Sequence, residues 1–337
     1  MAKVGCGLFV ILAITRMSSC IEGAASSYSG LFVFGDSYVD TGNHEQNMAS
    51  WRAPYGITWP GYPSGRFSDG LVFTDFYASF LNLTSPTPYR VIKSTLNSTS
   101  DEENVLQSST ATGINFGYGG SGVGPTFGAN IPTINEQIKE IKQLIEEYVV
   151  STEIVKSSIV LLVVAGNDYG AFLQNHSDLE IFTFIPTVVA KIGASLEDLY
   201  KLGFRTLAIT NLEPIGCLPN VTSLNNYTAC NETANIALSS THNALLSISI
   251  SSLQIRLWEA NIIPLNLYKA FDVVVKGGDF SLRPCCEGLN GSSCGDVDND
   301  GNLLYKVCSS PQQSLFWDSF HPTNAGWAAI SKTLLSS

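Results

Sequence analysis

The chain is short of positive charge. Lysine and arginine total 18 against 29 aspartates and glutamates, a net charge of −11. There is no basic patch to neutralise phosphates, so nucleic acid is not an expected partner. Long apolar runs are also missing. Beyond the N-terminal segment nothing approaches the roughly 20 residues that cross a bilayer, so the body of the chain has no stable membrane span. No CxxC pair is present, and with it goes the usual zinc-clasping pattern. Proline- or serine-rich linkers, internal repeats and low-complexity tracts are absent as well. One large α/β domain or two smaller ones fit the length, and nothing in the composition divides them. Histidine is scarce, with 4 in the chain, so the search for a catalytic base is short.

What is present begins with the N-terminus. Lys3 precedes an apolar stretch from Leu8 to Ile14, Arg16 interrupts it, and Gly23, Ala24 and Ala25 follow. That is the layout of a cleaved secretory signal. It predicts a signal over residues 1–25 and a single domain over 26–337. Removing the signal leaves a net charge of about −12, which suits solubility in an extracellular setting. Asn82, Asn97, Asn175, Asn220, Asn226, Asn231 and Asn290 each begin Asn-X-Ser/Thr. Together with the signal they predict a glycoprotein, secreted or held in the cell wall or vacuolar lumen, with these segments at the surface. Cys217, Cys230, Cys285, Cys286, Cys294 and Cys308 remain outside the signal. An even number in a secreted chain predicts disulfides. Cys217 with Cys230 is the preferred local pair, and the last four pair among themselves.

Short apolar stretches read as strands: Leu31 to Phe34, Ile114 to Phe116, Ile159 to Ala165, Thr206 to Thr210 and Ile262 to Leu265. Helical stretches alternate with them. Ile134, Ile138, Ile141, Ile145 and Tyr148 share one helical face, and Thr183 to Leu202 and Thr233 to Glu259 read as helices too. This alternation predicts a parallel sheet with helices on both faces. The polar stretch from Ser94 to Thr112 reads as a surface loop. Asp296 to Gly301 imitates the start of a calcium-binding loop, but Val307 stands where the twelfth-position glutamate belongs. It reads as a surface loop pinned by disulfides.

The strongest chemical signal is Phe32-Val33-Phe34-Gly35-Asp36-Ser37. An apolar strand ends abruptly in a tight turn that carries a hydroxyl. Ligands of open α/β sheets bind outside such carboxyl ends, so Ser37 is a candidate nucleophile. Of the histidines, His176 lies inside a sequon, His242 lies on a helix face beside leucines, and His44 sits in a polar loop. His321 follows Asp318 by three residues, near the start of the last helix. That spacing lets a carboxylate orient the imidazole while Nε2 faces the serine. Pro322 suits the first turn of the helix that follows. Oxyanion donors are available at two further strand ends, Gly117 to Gly122 and Gly166-Asn167-Asp168. The first lacks the Gly-Lys-Ser/Thr ending of a phosphate loop, and Asn167 would otherwise be a simple turn residue. Trp51, Trp59, Tyr62 and Phe67 are candidates to line an apolar pocket.

Taken in order, these landmarks resemble the plant-type GDSL esterase/lipases of the SGNH hydrolase superfamily. They are Phe34 to Ser37 with Asp40 to Asn43, Gly65 to Gly70, Asn115-Phe116 with Gly119-Gly120, Gly166 to Asp168, and Phe316 to Thr323. The resemblance covers Leu31 to about Trp327. It implies a flavodoxin-like three-layer α/β/α fold around a mostly five-stranded parallel sheet. It also implies Ser37 as nucleophile, His321 as base and Asp318 as its orienter. The oxyanion hole would comprise the Ser37 N–H, a glycine at 119 or 120 with Gly119 preferred, and the Asn167 side chain. The expected activity is hydrolysis of small-molecule or lipid carboxylic esters through an acyl-enzyme, with no cofactor or metal. An acyltransferase using the same site is the alternative, and a non-catalytic secreted binding module is a third reading. Ala165 departs from the family's glycine, and Gly117-Tyr118 from its Ala-Ser. Gly35 to Val39 also lacks the second glycine of a Gly-X-Ser-X-Gly elbow.

Overall fold

The computed structural model describes residues 28–97 and 110–336. The expected signal over 1–25 lies outside the described residues, as does the stretch 98–109 of the expected surface loop. The strands are β1 (Leu31–Gly35), β2 (Thr87–Pro88), β3 (Ile114–Asn115), β4 (Ile159–Val163), β5 (Thr206–Thr210) and β6 (Asn261–Leu265). They form one sheet in the order β2-β3-β1-β4-β5-β6, and every adjacent pair is parallel.

Successive side chains of a strand point to opposite faces, and here both faces are apolar. Phe32, Phe34, Val160, Leu162, Leu207 and Ile209 enter one core, packed with residues of helices Ile134–Glu146, Ile181–Lys201 and Thr241–Arg256. Leu31, Val33, Ile159, Leu161, Val163 and Ala208 enter the other, with Phe73–Phe80, Leu267–Gly277 and Asn324–Leu335. The result is the expected three-layer α/β/α architecture. It also explains why β1 and β4 read as unbroken apolar runs rather than alternating ones.

The sheet has one strand more than expected. The two residues of β2 pair with β3 at the edge, and a strand so short shows no periodicity. Its Pro88 is tolerated because an edge strand need not donate on both sides. Ser94 to Leu96, expected in a loop, end the helix Tyr89–Leu96, whose Ile92 is buried. The long helix expected from Thr233 is interrupted. A turn at Glu232–Ala234 runs into π-helical Asn235–Ser240 before Thr241–Arg256 begins. Pro322 lies just ahead of the last helix rather than in its first turn. Thr323 is the cap, accepting the Gly326 N–H at 2.8 Å. Asp318 is thus not needed as a helix cap.

Disulfides join Cys217 to Cys230, Cys285 to Cys308 and Cys286 to Cys294. The local pair and the pairing among the last four are both as expected. The segment resembling a calcium loop is held by them. Its Asp298 carboxylate accepts the backbone N–H groups of Asp300 and Asn302, so it serves the turn itself. All seven sequon asparagines are exposed. On the second face Phe271 is fully buried against Phe316 and Trp327. Phe271→Ala is expected to cost about 3–5 kcal/mol, read as a lowered urea midpoint.

Candidate active site

The site is built at the carboxyl ends of β1, β3, β4 and β5. At the end of β1 the chain must turn against β4. Gly35 has φ +151°, and a Cβ there would stand 2.2 Å from the Val163 carbonyl oxygen. Only glycine allows that approach. The Gln137 side chain fixes the turn from the adjoining helix. Its Oε1 accepts the Gly35 N–H at 2.9 Å and its Nε2 donates to the Gly35 carbonyl at 2.8 Å. Asp36 Oδ1 then accepts the Tyr38 N–H at 3.0 Å. Ser37 is left almost buried at the tip.

Ser37 Oγ lies 2.8 Å from His321 Nε2. His321 Nδ1 lies 2.8 Å from both carboxylate oxygens of Asp318. Asp318 Oδ1 also accepts the Phe320 and His321 N–H groups, each at 2.9 Å. The Tyr55 hydroxyl donates to its Oδ2 at 2.7 Å. Burial alone would push this carboxyl up, but the imidazole and these hydrogen bonds outweigh it and hold it below its ordinary value. Tyr55 moves the other way. Burial, then the Asp318 charge, raise it well above the usual range, so it remains a donor. Phe67 lies tilted against the His321 ring at 5.0 Å and Tyr38 meets it edge-on at 6.1 Å.

From the sequence, Gly119 is the glycine preferred as an oxyanion donor. Its N–H already donates to Asp40 Oδ2 at 2.9 Å. Among the described residues, the N–H groups of Gly120 and Ser37 have no hydrogen-bond partner. Gly120 also takes φ +86°, a conformation that suits glycine. The Asn167 side-chain amide donates to the Ser121 carbonyl at 3.0 Å, which leaves its second N–H available. Asp168 accepts the Val123 and Gly124 N–H groups and ties the glycine-rich loop to the Asn167 turn. Burial pushes Asp168 up to about 6 despite these bonds. Asp40 is likewise pushed up to about 6 while accepting N–H groups of Gly42, Asn43, Gly119 and His44. Ala165 takes φ +131° and so stores backbone strain two residues before Asn167.

The remaining candidates fall away. His242 is buried, with Nδ1 2.6 Å from the Tyr169 hydroxyl. His176 is exposed and stacks on Phe172. His44 is buried between Tyr118 and Phe67, beside Gly119. Of the pocket aromatics only Phe67 touches the triad. Trp51 packs under the loop with the Arg90 guanidinium over its ring, and Trp59 and Tyr62 are exposed. Sequence reasoning missed Tyr55 and Gln137. Gln137 carried a signal, a polar residue on the isoleucine-lined face of its helix. Tyr55 carried none.

Fold and site define a class, a three-layer α/β/α hydrolase that presents a serine, a histidine and an aspartate at its strand ends. The sequence narrows this. The model of the GDSL-like Lipase/Acylhydrolase family matches residues 31–334, and the chain belongs to that family of ester hydrolases. Two GDSL esterase/lipases of Arabidopsis thaliana are similar. One is 37% identical, spanning 97% of this chain and 96% of its own. The other is 36% identical, spanning 98% and 95%. Among solved structures, an acetyl xylan esterase of Geobacillus stearothermophilus (variant W215I) is 14% identical with a TM-score of 0.40, covering 92% of this chain and 94% of that one.

Because the folded Asp318 carboxyl is held low, its stabilising effect is complete above its unfolded value, about 4, and fades as pH falls through the folded value. Tyr55→Phe deletes one of the bonds responsible. It is expected to cost about 1.5–3 kcal/mol at pH 7 and to begin acid unfolding at a higher pH than wild type, both measured by urea denaturation across pH.

Proposed function

We propose that the protein is a secreted serine ester hydrolase that works through an acyl-enzyme on Ser37. One observation carries the reading: the 2.8 Å contact of Ser37 Oγ with His321 Nε2, whose ring is oriented from behind by Asp318. Ser37 Oγ attacks the ester carbonyl carbon as its proton passes to Nε2. Asp318 stabilises the imidazolium without taking the proton. The tetrahedral oxyanion accepts hydrogen bonds from the Ser37 N–H, the Gly120 N–H and the Asn167 amide. On collapse the alcohol leaves with the proton from Nε2. Water then gives a proton to Nε2 and attacks the acyl carbon, and Ser37 recovers its hydrogen as the acid departs. Gly120 replaces Gly119 in this scheme because the Gly119 N–H is held by Asp40.

Secretion is supported by the N-terminal pattern, by three closed disulfides and by the exposure of every sequon asparagine. The substrate class is a small-molecule or lipid carboxylic ester.

Purified protein is expected to hydrolyse p-nitrophenyl butyrate, and Ser37→Ala to abolish the turnover. Equal activity in the variant overturns the assignment. Asn167→Ala, which removes one donor, is expected to lower kcat about 10²–10³-fold with little change in KM, measured by steady-state kinetics.

A further inference from the structure

Phe127 takes no part in this scheme, yet its loop is fastened to two of the three oxyanion donors. The loop follows the glycine-rich turn. Thr126 Oγ1 donates to the Gly120 carbonyl at 2.7 Å and ties the start of the loop back to the donor glycine. Ile131 closes the other end. Its Cδ1 lies 3.0 Å from where a Cβ on Gly120 would stand, and its N–H donates to the Gly128 carbonyl at 3.3 Å. Between these anchors the Phe127 ring reaches the helix Gly166–Leu173, with Cζ 3.3 Å from where a Cβ on Gly170 would stand. Gly170 follows Asn167 by three residues, so the two share one face of that helix. The phenyl ring remains 49% exposed. An exposed apolar side chain is ordinary by itself. This loop, however, brings apolar side chains against both elements that hold oxyanion donors.

The other side of the site belongs to the base. Phe67 and Phe320 have their rings 5.0 and 6.3 Å from that of His321. The leaving alcohol stays on that side, because its oxygen takes the proton from Nε2. Ser37 Oγ and the oxyanion fill two more positions of the tetrahedral carbon. The fourth is the acyl chain, which leaves the carbon away from His321, past Gly120 and Asn167 and toward Phe127.

We propose that Phe127, with Ile131 behind Gly120, forms the wall along which the acyl chain lies, and that it selects esters of straight apolar acids longer than acetate. The proposal rests on the serine-hydrolase reading above. Phe127 touches no reacting atom and acts on the substrate beyond the carbonyl. Gly170 lies about 4.5 Å further along the helix than Asn167, whereas an acetyl methyl ends one bond from the carbonyl carbon. A chain of eight carbons can run past the donors and bury itself against the ring, leaving water as it does so.

The experiment measures kcat/KM on p-nitrophenyl acetate, butyrate and octanoate, and on ethyl and octyl butyrate by acid release at constant pH. Wild type, Phe127→Ala, Phe127→Leu and Ser37→Ala are compared. Phe127→Ala is expected to lower the octanoate-to-acetate ratio about tenfold, with acetate itself within about twofold of wild type. Phe127→Leu keeps an apolar wall and is expected to fall between the two. The octyl-to-ethyl ratio, which varies only the alcohol, is expected to stay at its wild-type value. An unchanged acyl ratio in Phe127→Ala overturns the proposal. So does an equal loss on every ester, which marks a purely structural role for the ring, and so does a change confined to the alcohol series. Activity surviving in Ser37→Ala refutes the serine reading itself. Activity lost there beside an unchanged acyl ratio in Phe127→Ala refutes only the role of Phe127.

Discussion

Everything at this site depends on how closely β1 can end against β4. No side chain fits at Gly35, because the Val163 carbonyl occupies the space where its Cβ would lie. The parallel pairing of β1 with β4 runs to that very position, Gly35 opposite Val163. The serine therefore leaves the sheet where a neighbouring strand end is within reach. Gln137 completes the constraint: its Oε1 takes the Gly35 N–H, and its Nε2 joins the Tyr118 N–H on the Gly35 carbonyl. A helix on one face thus holds a turn at the edge of the other, and the nucleophile inherits the rigidity of the whole sheet.

Around that turn the protein places carboxylates rather than cations. Asp36, Asp40, Asp168, Glu213 and Asp318 are all buried. Four of them are tied to backbone N–H groups in the loops that carry site residues. Each loop is irregular and would otherwise bury unpaired donors, so the carboxylates serve as structural acceptors. Burial raises Asp40 and Asp168 to about 6. Asp318 alone among the five is held low, because the imidazole, two N–H groups and a tyrosine hydroxyl converge on it. The contrast separates the carboxylate that faces the imidazole from Asp36, Asp40 and Asp168, which organise the loops.

Much of this was legible in the sequence because it rests on local pattern. Apolar runs ended by glycine marked β1 and β4, and the isoleucine spacing marked Ile134–Glu146. The three-residue spacing of Asp318 and His321 fixed how those two side chains meet. What escaped detection depends on contacts distant in sequence. A two-residue strand such as β2 has no period, and the π-helical turn at Asn235–Ser240 leaves the helical spacing nearly intact. The choice between Gly119 and Gly120 turns on which N–H Asp40 engages across 79 residues, and adjacent glycines look alike in a sequence. Tyr55 reaches Asp318 across 263 residues with nothing in its surroundings to announce it.

That last contact joins the chemistry of the site to the disulfides. Tyr55 shares a buried cluster with Trp317, Tyr305, Cys285, Cys286 and Cys294. The Cys285 N–H donates to the Phe316 carbonyl at 3.0 Å and the Cys286 N–H to the Trp317 carbonyl at 2.6 Å. The paired half-cystines therefore grip the backbone directly before Asp318. Tyr305, in the strand paired with Cys286–Gly288, donates through its hydroxyl to the Ala53 carbonyl at 3.3 Å, two residues from Tyr55. Both partners of the Tyr55–Asp318 hydrogen bond are thus anchored to one cross-linked unit. Two loops from opposite ends of the chain would otherwise have to be ordered separately, at the conformational cost of each. Cross-linking the segment beneath them reduces that cost in the unfolded chain. The disulfides lie outside the sheet and touch no reacting atom, yet they help set the direction in which the carboxylate faces the imidazole.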